Sequence, residues 1–287
     1  MEILSRVLPP DHDLILASDF HEGTILRETR GLYEMRDKVE KNKNTFLAFG
    51  GDAVEAISVD DKRYSRDTED PKTPTPIKQY RAIKEFFKPI ARKTVFALLG
   101  NHDWMMAVRY GNYLQTELCP DLGIPYGTYS AKMSVRDKSG KQMYKLFYTH
   151  GAKSISSVAD DPIRREANML LQLKRRLQMK AGDCEVMAMG HTHKLLVCPP
   201  IASLYLKDDG KRILSAYTEP GSGSWIHSDH RWYANTGSFL RLYTSMEMGE
   251  PVSGYAERFG YDPAEIGYVV IECRGGKIKN VRKEVVA

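Results

Sequence analysis

Leu14-Ile15-Leu16-Ala17-Ser18-Asp19-Phe20-His21 is an apolar run that stops at a serine and an acid and, two places on, reaches a histidine. A short unbroken apolar run reads as a strand buried on both faces. Polar residues just past its C-terminal end mark the crevice where side chains from neighbouring strands of an open α/β sheet meet. The same punctuation recurs along the chain. Thr45-Phe46-Leu47-Ala48-Phe49 runs into Gly50-Gly51-Asp52, and Thr94-Val95-Phe96-Ala97-Leu98-Leu99 runs into Gly100-Asn101-His102-Asp103. Tyr144-Lys145-Leu146-Phe147-Tyr148 runs into Thr149-His150-Gly151, and Glu185-Val186-Met187-Ala188-Met189 into Gly190-His191-Thr192-His193. These five segments use five of the eight histidines.

Helical patterns separate the runs. Leu32, Met35 and Val39 share one face after Gly23-Thr24. Ile77, Tyr80, Ile83, Phe87 and Ile90 mark a second amphipathic helix, and Ile163, Ala167, Leu170, Leu171 and Leu177 a long third one. Asp137-Lys138-Ser139-Gly140 between Ser134-Val135-Arg136 and Tyr144–Tyr148 reads as a hairpin. Alternating strands and helices give an α/β layered domain. The strand- and turn-rich part after Gly190, with its Asp208-Asp209-Gly210 turn and Gly267–Glu272 run, is expected to complete a second sheet packed on the first. The whole chain, 1–287, reads as a single domain with insertions near 58–76 and 200–232. The first insertion is polar, holds Pro71, Pro74 and Pro76, and is expected on the surface close to the site, because ligands on both sides of it must converge.

The 287 residues are 42% hydrophobic and 28% charged, which is ordinary for a globular protein. No stretch approaches the roughly 18–20 apolar residues of a membrane span, and Met1–Arg6 lacks the apolar run of a secretory signal. Cys119, Cys184, Cys198 and Cys273 are scattered without a CxxC spacing, so reduced thiols and a cytoplasmic location are expected. A net charge of +5 and a pI near 8.8 are compatible with phosphate-bearing substrates without establishing nucleic-acid binding, and a solvated surface with a slight lysine excess is the favoured reading.

The donors at the strand ends are two carboxylates (Asp19, Asp52), four imidazoles (His21, His150, His191, His193) and one amide (Asn101). Such a set suits manganese, iron, zinc or nickel, and the lack of thiolates argues against a purely structural zinc site. Four imidazoles are too many for a single catalytic ion that must keep an open position. Shared between two ions about 3.5–4 Å apart with a bridging carboxylate, they can hold a hydroxide and clamp phosphate oxygens for in-line attack. His102 is then free to face the leaving group as an acid or charge stabiliser, with Asp103 orienting its ring.

The set D-x-H, G-D, G-N-H-D, H-G and G-H-T-H, in that order, resembles the calcineurin-like metallophosphoesterase superfamily. The resemblance covers Asp13 to His193, and the strands from Tyr233 onward suit the family's second sheet. It implies a four-layer α/β/β/α sandwich of two packed mixed sheets flanked by helices. It also implies one ion on Asp19, His21, Asp52 and His193, and a second on Asp52, Asn101, His150 and His191, with Asp52 bridging and His102 as the catalytic histidine. The protein Ser/Thr phosphatase branch carries Asp-Arg-Gly after its second motif and Asn-His-Glu in its third. Here the chain reads Gly51-Asp52-Ala53-Val54-Glu55 and Asn101-His102-Asp103, which argues against protein phosphatase activity.

The expected activity is hydrolysis of a phosphoester with two divalent ions, manganese first, leaning to phosphodiesters such as nucleotides or nucleic acid. The alternatives are a monoesterase acting on small metabolites or nucleotides and a non-catalytic scaffold. The basic cluster Lys174, Arg175, Arg176 and Lys180 reads as a solvated helix end. Arg63, Tyr64 and Arg66, and Lys153, Ser154, Ser156 and Ser157, are candidates for contact with substrate phosphate. Tyr217–Trp232, with Pro220, Gly221, Gly223, Trp225, His227 and His230, reads either as a flap whose ring stacks on a base or as a loop with Trp225 tucked into the surface.

Overall fold

The computed structural model describes residues 1–219, 224–243 and 252–286, so Pro220, Gly221 and Gly223 of the expected flap lie outside the described residues. In chain order the elements are β1 (Glu2–Val7), β2 (His12–Ala17), α1 (Thr29–Lys41), β3 (Thr45–Phe49), α2 (Pro76–Phe87), β4 (Thr94–Ala97), α3 (Asn101–Tyr110), α4 (Cys119–Leu122), β5 (Ser130–Arg136), β6 (Gln142–Thr149), α5 (Pro162–Leu177), β7 (Val186–Met189), β8 (Leu195–Cys198), β9 (Leu204–Asp208), β10 (Ile213–Tyr217), β11 (Trp232–Thr236), α6 (Tyr255–Arg258), β12 (Gly267–Arg274) and β13 (Lys277–Val285).

Two mixed sheets form. One has the order β1-β5-β6-β7-β11-β8, the other β13-β12-β2-β3-β4, and β9 and β10 make a separate two-stranded ribbon. β2, β3 and β4 run parallel, as do β6, β7 and β11, so their C-terminal ends group at one edge of each sheet.

Side-chain alternation sorts the strands into layers. Leu14, Leu16, Ala48 and Phe96 share a buried cluster with Met133, Leu146, Tyr148, Val186 and Ala188, the apolar layer between the sheets. On the opposite face Ile15, Ala17, Leu47 and Phe49 join Leu32, Met35 and Val39 of α1 and Tyr80, Ile83 and Phe87 of α2. Phe147, Met187 and Met189 meet Leu173 and Leu177 of α5 on the outer face of the other sheet. The order is therefore helices, sheet, sheet, helix: the four-layer α/β/β/α sandwich. Burial on both faces is why these strands read as unbroken apolar runs. A one-residue slip would exchange the two faces of a strand, so the layers hold the register on which the strand ends depend.

Three local readings change. The strands after Gly190 complete both sheets rather than one, because β8 and β11 extend the six-stranded sheet while β12 and β13 flank β2. α1 starts at Thr29, where the Glu28 side chain accepts from the Gly31 amide. In α5, Ile163 and Leu171 are 81% and 51% exposed, because only the C-terminal half of the helix lies on the sheet through Leu173 and Leu177. All four cysteines are free, and among the described residues no helix is long and apolar enough to cross a membrane.

Candidate metal centre

Asp19, His21, Asp52, His191 and His193 all have left-handed backbones, with φ of 56°, 50°, 55°, 71° and 53°. Each such non-glycine residue costs about 1–3 kcal/mol and persists only where its surroundings over-determine it. Here the surroundings are the loops themselves. The Asp19 amide donates to the Gly51 carbonyl at 2.9 Å, and the Phe20 amide to that of Asp52 at 2.8 Å. The turns after β2 and β3 are thereby laced together, and the first side chains past the strands point into one crevice. Glycines let the turns close. A Cβ on Gly100 would collide with the Asp52 backbone and carboxylate, and one on Gly51 would lie 2.7 Å from the Gly100 nitrogen and 2.9 Å from His150 Nδ1.

Among the described residues two donor groups stand apart, Asp19–His21–His193 and Asp52–His150–His191, and a third, His21–Glu55–His102, shares His21 with the first; in each, one ligand atom per residue lies within 4.8 Å of the others. In the first, Asp19 Oδ1 lies 3.3 Å from His193 Nε2 and 3.9 Å from His21 Nε2. His21 Nδ1 is 2.6 Å from the Glu55 carboxylate, which orients the ring with Nε2 facing inward; burial works against a charge on His21, but Glu55 and then Asp52 raise its pKa. Asp19 Oδ2 accepts from the Ser18 hydroxyl and, at 3.0 Å, from the His191 amide. Its Oδ1 is buried with no hydrogen-bond partner. A buried acceptor left unmade is expensive, and one that faces two imidazoles fits a cation. Burial alone would push the Asp19 carboxyl up, but His193 and His150 outweigh it and hold it at about 2.

In the second group His150 Nε2 is 3.2 Å from Asp52 Oδ2, and its Nδ1 donates to the Gly50 carbonyl at 2.9 Å. The Asn101 amide sits 2.9 Å from His150 Nε2 and 2.6 Å from His191 Nδ1. With its oxygen inward it is a neutral oxygen donor beside both rings, which suits a cation. Turned over, its nitrogen would donate to the same atoms. Burial works against a charge on His150, yet Asp52 and then Asp19 raise it to about 9, while burial and His150 drive His191 down to about 4.

His102 lies beside both groups. Its backbone amide donates to Asp52 Oδ1 at 2.8 Å, its Nδ1 donates to the Glu55 carbonyl, and its Nε2 accepts from Arg63 Nη1 at 3.1 Å. Asp103 does not touch the His102 ring as expected from sequence. Its carboxylate accepts from the amides of Gly100 (3.1 Å) and Ala53 (3.2 Å) and from the Tyr80 hydroxyl (3.2 Å). The reason is its place in the first turn of α3, where an acid turns back to the free amides of the helix start. Glu55 does the orienting instead, with its carboxylate on His21 and its carbonyl on His102. Sequence reading assigned it no role, although an acid inside the apolar stretch Ala53-Val54-Glu55-Ala56-Ile57 was a usable signal.

A cleft of about 480 Å³ opens over these groups, and Arg63, Ser154, Ser156, Lys194 and Tyr255 are among its walls. Arg176 is drawn into the structure: it donates to the carbonyls of Ala152, Lys153 and Ser154 and so holds the loop after His150. Trp225 packs near Gly182 and Arg231, beside the start of β11, while the end of β11 near the ligands is Thr236. Trp225 is 61% exposed rather than tucked into the surface, and it stands at the end of β11 away from the ligands.

A search of curated proteins finds no match by sequence. Among solved structures the chain is similar to Vps29 of Chaetomium thermophilum (9% identity, 96% of each chain covered, TM-score 0.37). It is also similar to a hypothetical protein of Pyrococcus horikoshii OT3 (11% identity, 96% of this chain and 87% of that one, TM-score 0.42). A third likeness is to a predicted phosphoesterase of Streptococcus pneumoniae TIGR4 (13% identity, 96% of this chain and 98% of that one, TM-score 0.32). These scores lie below 0.5, so the layer order rests on the sheets and helices of this chain itself. Residues 12–195 match the family model for calcineurin-like phosphoesterases, so the chain belongs to the calcineurin-like phosphoesterase family.

Proposed function

We propose that the protein is a hydrolase of phosphodiesters, nucleotides or nucleic acid among them, that works with two divalent ions, manganese foremost. The observation that carries this reading is the pair of donor groups facing one cleft with the Nε2 of His102 beside them. Asp19, His21 and His193 would hold one ion, Asn101, His150 and His191 the other, and Asp52 is assigned the place between. Held there, such ions would supply a water of lowered pKa and offset the charge that gathers on phosphoryl oxygens.

The chain's own residues prepare the rest. The Glu55 carboxylate and the Gly50 carbonyl accept hydrogen bonds from the outward nitrogens of His21 and His150, which fixes each ring with its other nitrogen toward the cleft. Burial pushes the His102 pKa down, and its ring proton sits on Nδ1, so Nε2 offers a lone pair. His102 can deliver a proton to a leaving oxygen only after taking one at that atom. Free thiols at all four cysteines fit a reducing, cytoplasmic location.

The test is hydrolysis of bis(p-nitrophenyl) phosphate beside p-nitrophenyl phosphate by manganese-loaded protein, with bound metal counted. Diester turnover lost in His102→Ala is expected. Turnover of the monoester alone would replace the reading with a monoesterase, and metal binding without turnover of either would replace it with a scaffold.

A further inference from the structure

Arg63 comes from the polar segment 58–76, yet its guanidinium, 26% exposed, sits in the cleft wall with Asp52, Asn101 and His102. Asp61 fixes one edge of it, accepting from Nε at 3.1 Å and Nη2 at 2.8 Å, and also accepts from the Arg63 backbone amide at 2.9 Å. Arg258 donates to the Arg63 carbonyl at 2.9 Å, which ties the segment to α6. One nitrogen is left over: Nη1, donating to His102 Nε2 at 3.1 Å. An arginine with one edge on a carboxylate keeps the other for an oxyanion, with a geometry that matches phosphate.

A phosphoester bound in the cleft would compete with the contact to His102. That contact covers the nitrogen that would face the leaving group, and a neutral imidazole is a weaker acceptor for guanidinium than a charged phosphoryl oxygen. We propose that Arg63 is a substrate-binding residue that passes its Nη1 hydrogen bond from His102 Nε2 to a non-bridging oxygen of the phosphoester, uncovering His102 as it does so. Asp61 is its positioning residue. The inference rests on the phosphoester hydrolase reading and names the residue that would recognise the phosphoryl group from the protein side.

The experiment uses manganese-loaded wild type, Arg63→Ala, Arg63→Lys and Asp61→Asn. Bound manganese, the affinity for inorganic phosphate by calorimetry, and KM and kcat on bis(p-nitrophenyl) phosphate are measured. Unchanged manganese, phosphate affinity and kcat/KM lower by about ten- to a hundred-fold in Arg63→Ala, the weight of one charge-assisted hydrogen bond, and partial recovery in Arg63→Lys are expected. Asp61→Asn should fall between. Wild-type turnover with phosphate affinity and KM unchanged in Arg63→Ala would overturn the assignment and leave the hydrolase intact. Loss of manganese in Arg63→Ala would also overturn it, since the residue would then support the centre rather than bind substrate. Wild-type protein that neither binds phosphate nor turns over would sink the hydrolase reading and Arg63 with it.

Discussion

Strand β2 has a buried histidine at each end, and the two live in different chemistry. His12, where the strand begins, places Nδ1 2.6 Å from the Pro9 carbonyl and Nε2 2.8 Å from the Tyr144 hydroxyl. Burial lowers its pKa, its ring stacks on Tyr144, and both of its nitrogens have a protein partner. His21, just past the other end, gives one nitrogen to Glu55 and turns the other toward an unpartnered Asp19 oxygen and a second imidazole. Burial is equal at the two ends, at 1% and 0% exposure, so it cannot tell a structural histidine from a ligand. What the second nitrogen faces can.

The contrast breaks first at Asp52. Asp52→Asn should lower turnover on the order of a thousand-fold or more and reduce bound manganese, because one substitution weakens the acceptor that faces His150 and His102. Steady-state rates and metal counts check it. His102→Ala should cost about a hundred- to ten-thousand-fold in kcat with both ions retained, which would separate proton handling from ion holding. Glu55→Gln should weaken metal affinity or activity by about ten- to a hundred-fold, since the orienting acceptor on His21 becomes a weaker one. Titrating manganese into each variant measures the loss.

Smaller effects sharpen the contrast. His150 is raised from its ordinary 6.5 to about 9, so in metal-free protein at pH 7.5 it holds a proton that an ion must displace. Manganese affinity should therefore fall about ten-fold per unit as pH drops below 9, with about one proton released per chain, read by calorimetry in buffers of different ionisation enthalpy. Because the folded pKa is the higher one, the His150–Asp52 pairing adds stability in full below pH 6.5 and loses it as pH rises through about 9 in the metal-free protein. The smallest effect on activity belongs to the other end of the strand. His12→Gln should leave kcat unchanged and lower unfolding free energy by about 1–3 kcal/mol in denaturant titration.

Most of the fold was legible because burial on both faces writes strands as plain apolar runs. Leu14–Ala17, Thr45–Phe49 and Val186–Met189 are found where they were read. Edges were harder. β1 shows the burial of an outer strand, mostly exposed, and carries no such run, so nothing in Glu2–Val7 announced it. The seven expected metal ligands do converge at the strand ends, because each sits next to a readable strand. Glu55 and Arg63 lie in irregular chain beyond β3, where no periodicity says which way a side chain points. Asp103 shows the converse error: adjacency in sequence to His102 suggested contact, but the start of α3 sends the two side chains to different partners.

The donors do not come from one sheet. Asp19, His21, Asp52 and Asn101 follow strands of the five-stranded sheet, while His150, His191 and His193 follow strands of the six-stranded one. Anything gripped by both sets acts as a clasp across the seam of the sandwich. Its binding free energy adds to the docking of one sheet on the other, because it is realised only when both halves are in place. Loading the centre should thus make the two sheets melt as one body, and stripping it would loosen the join before it loosened either half.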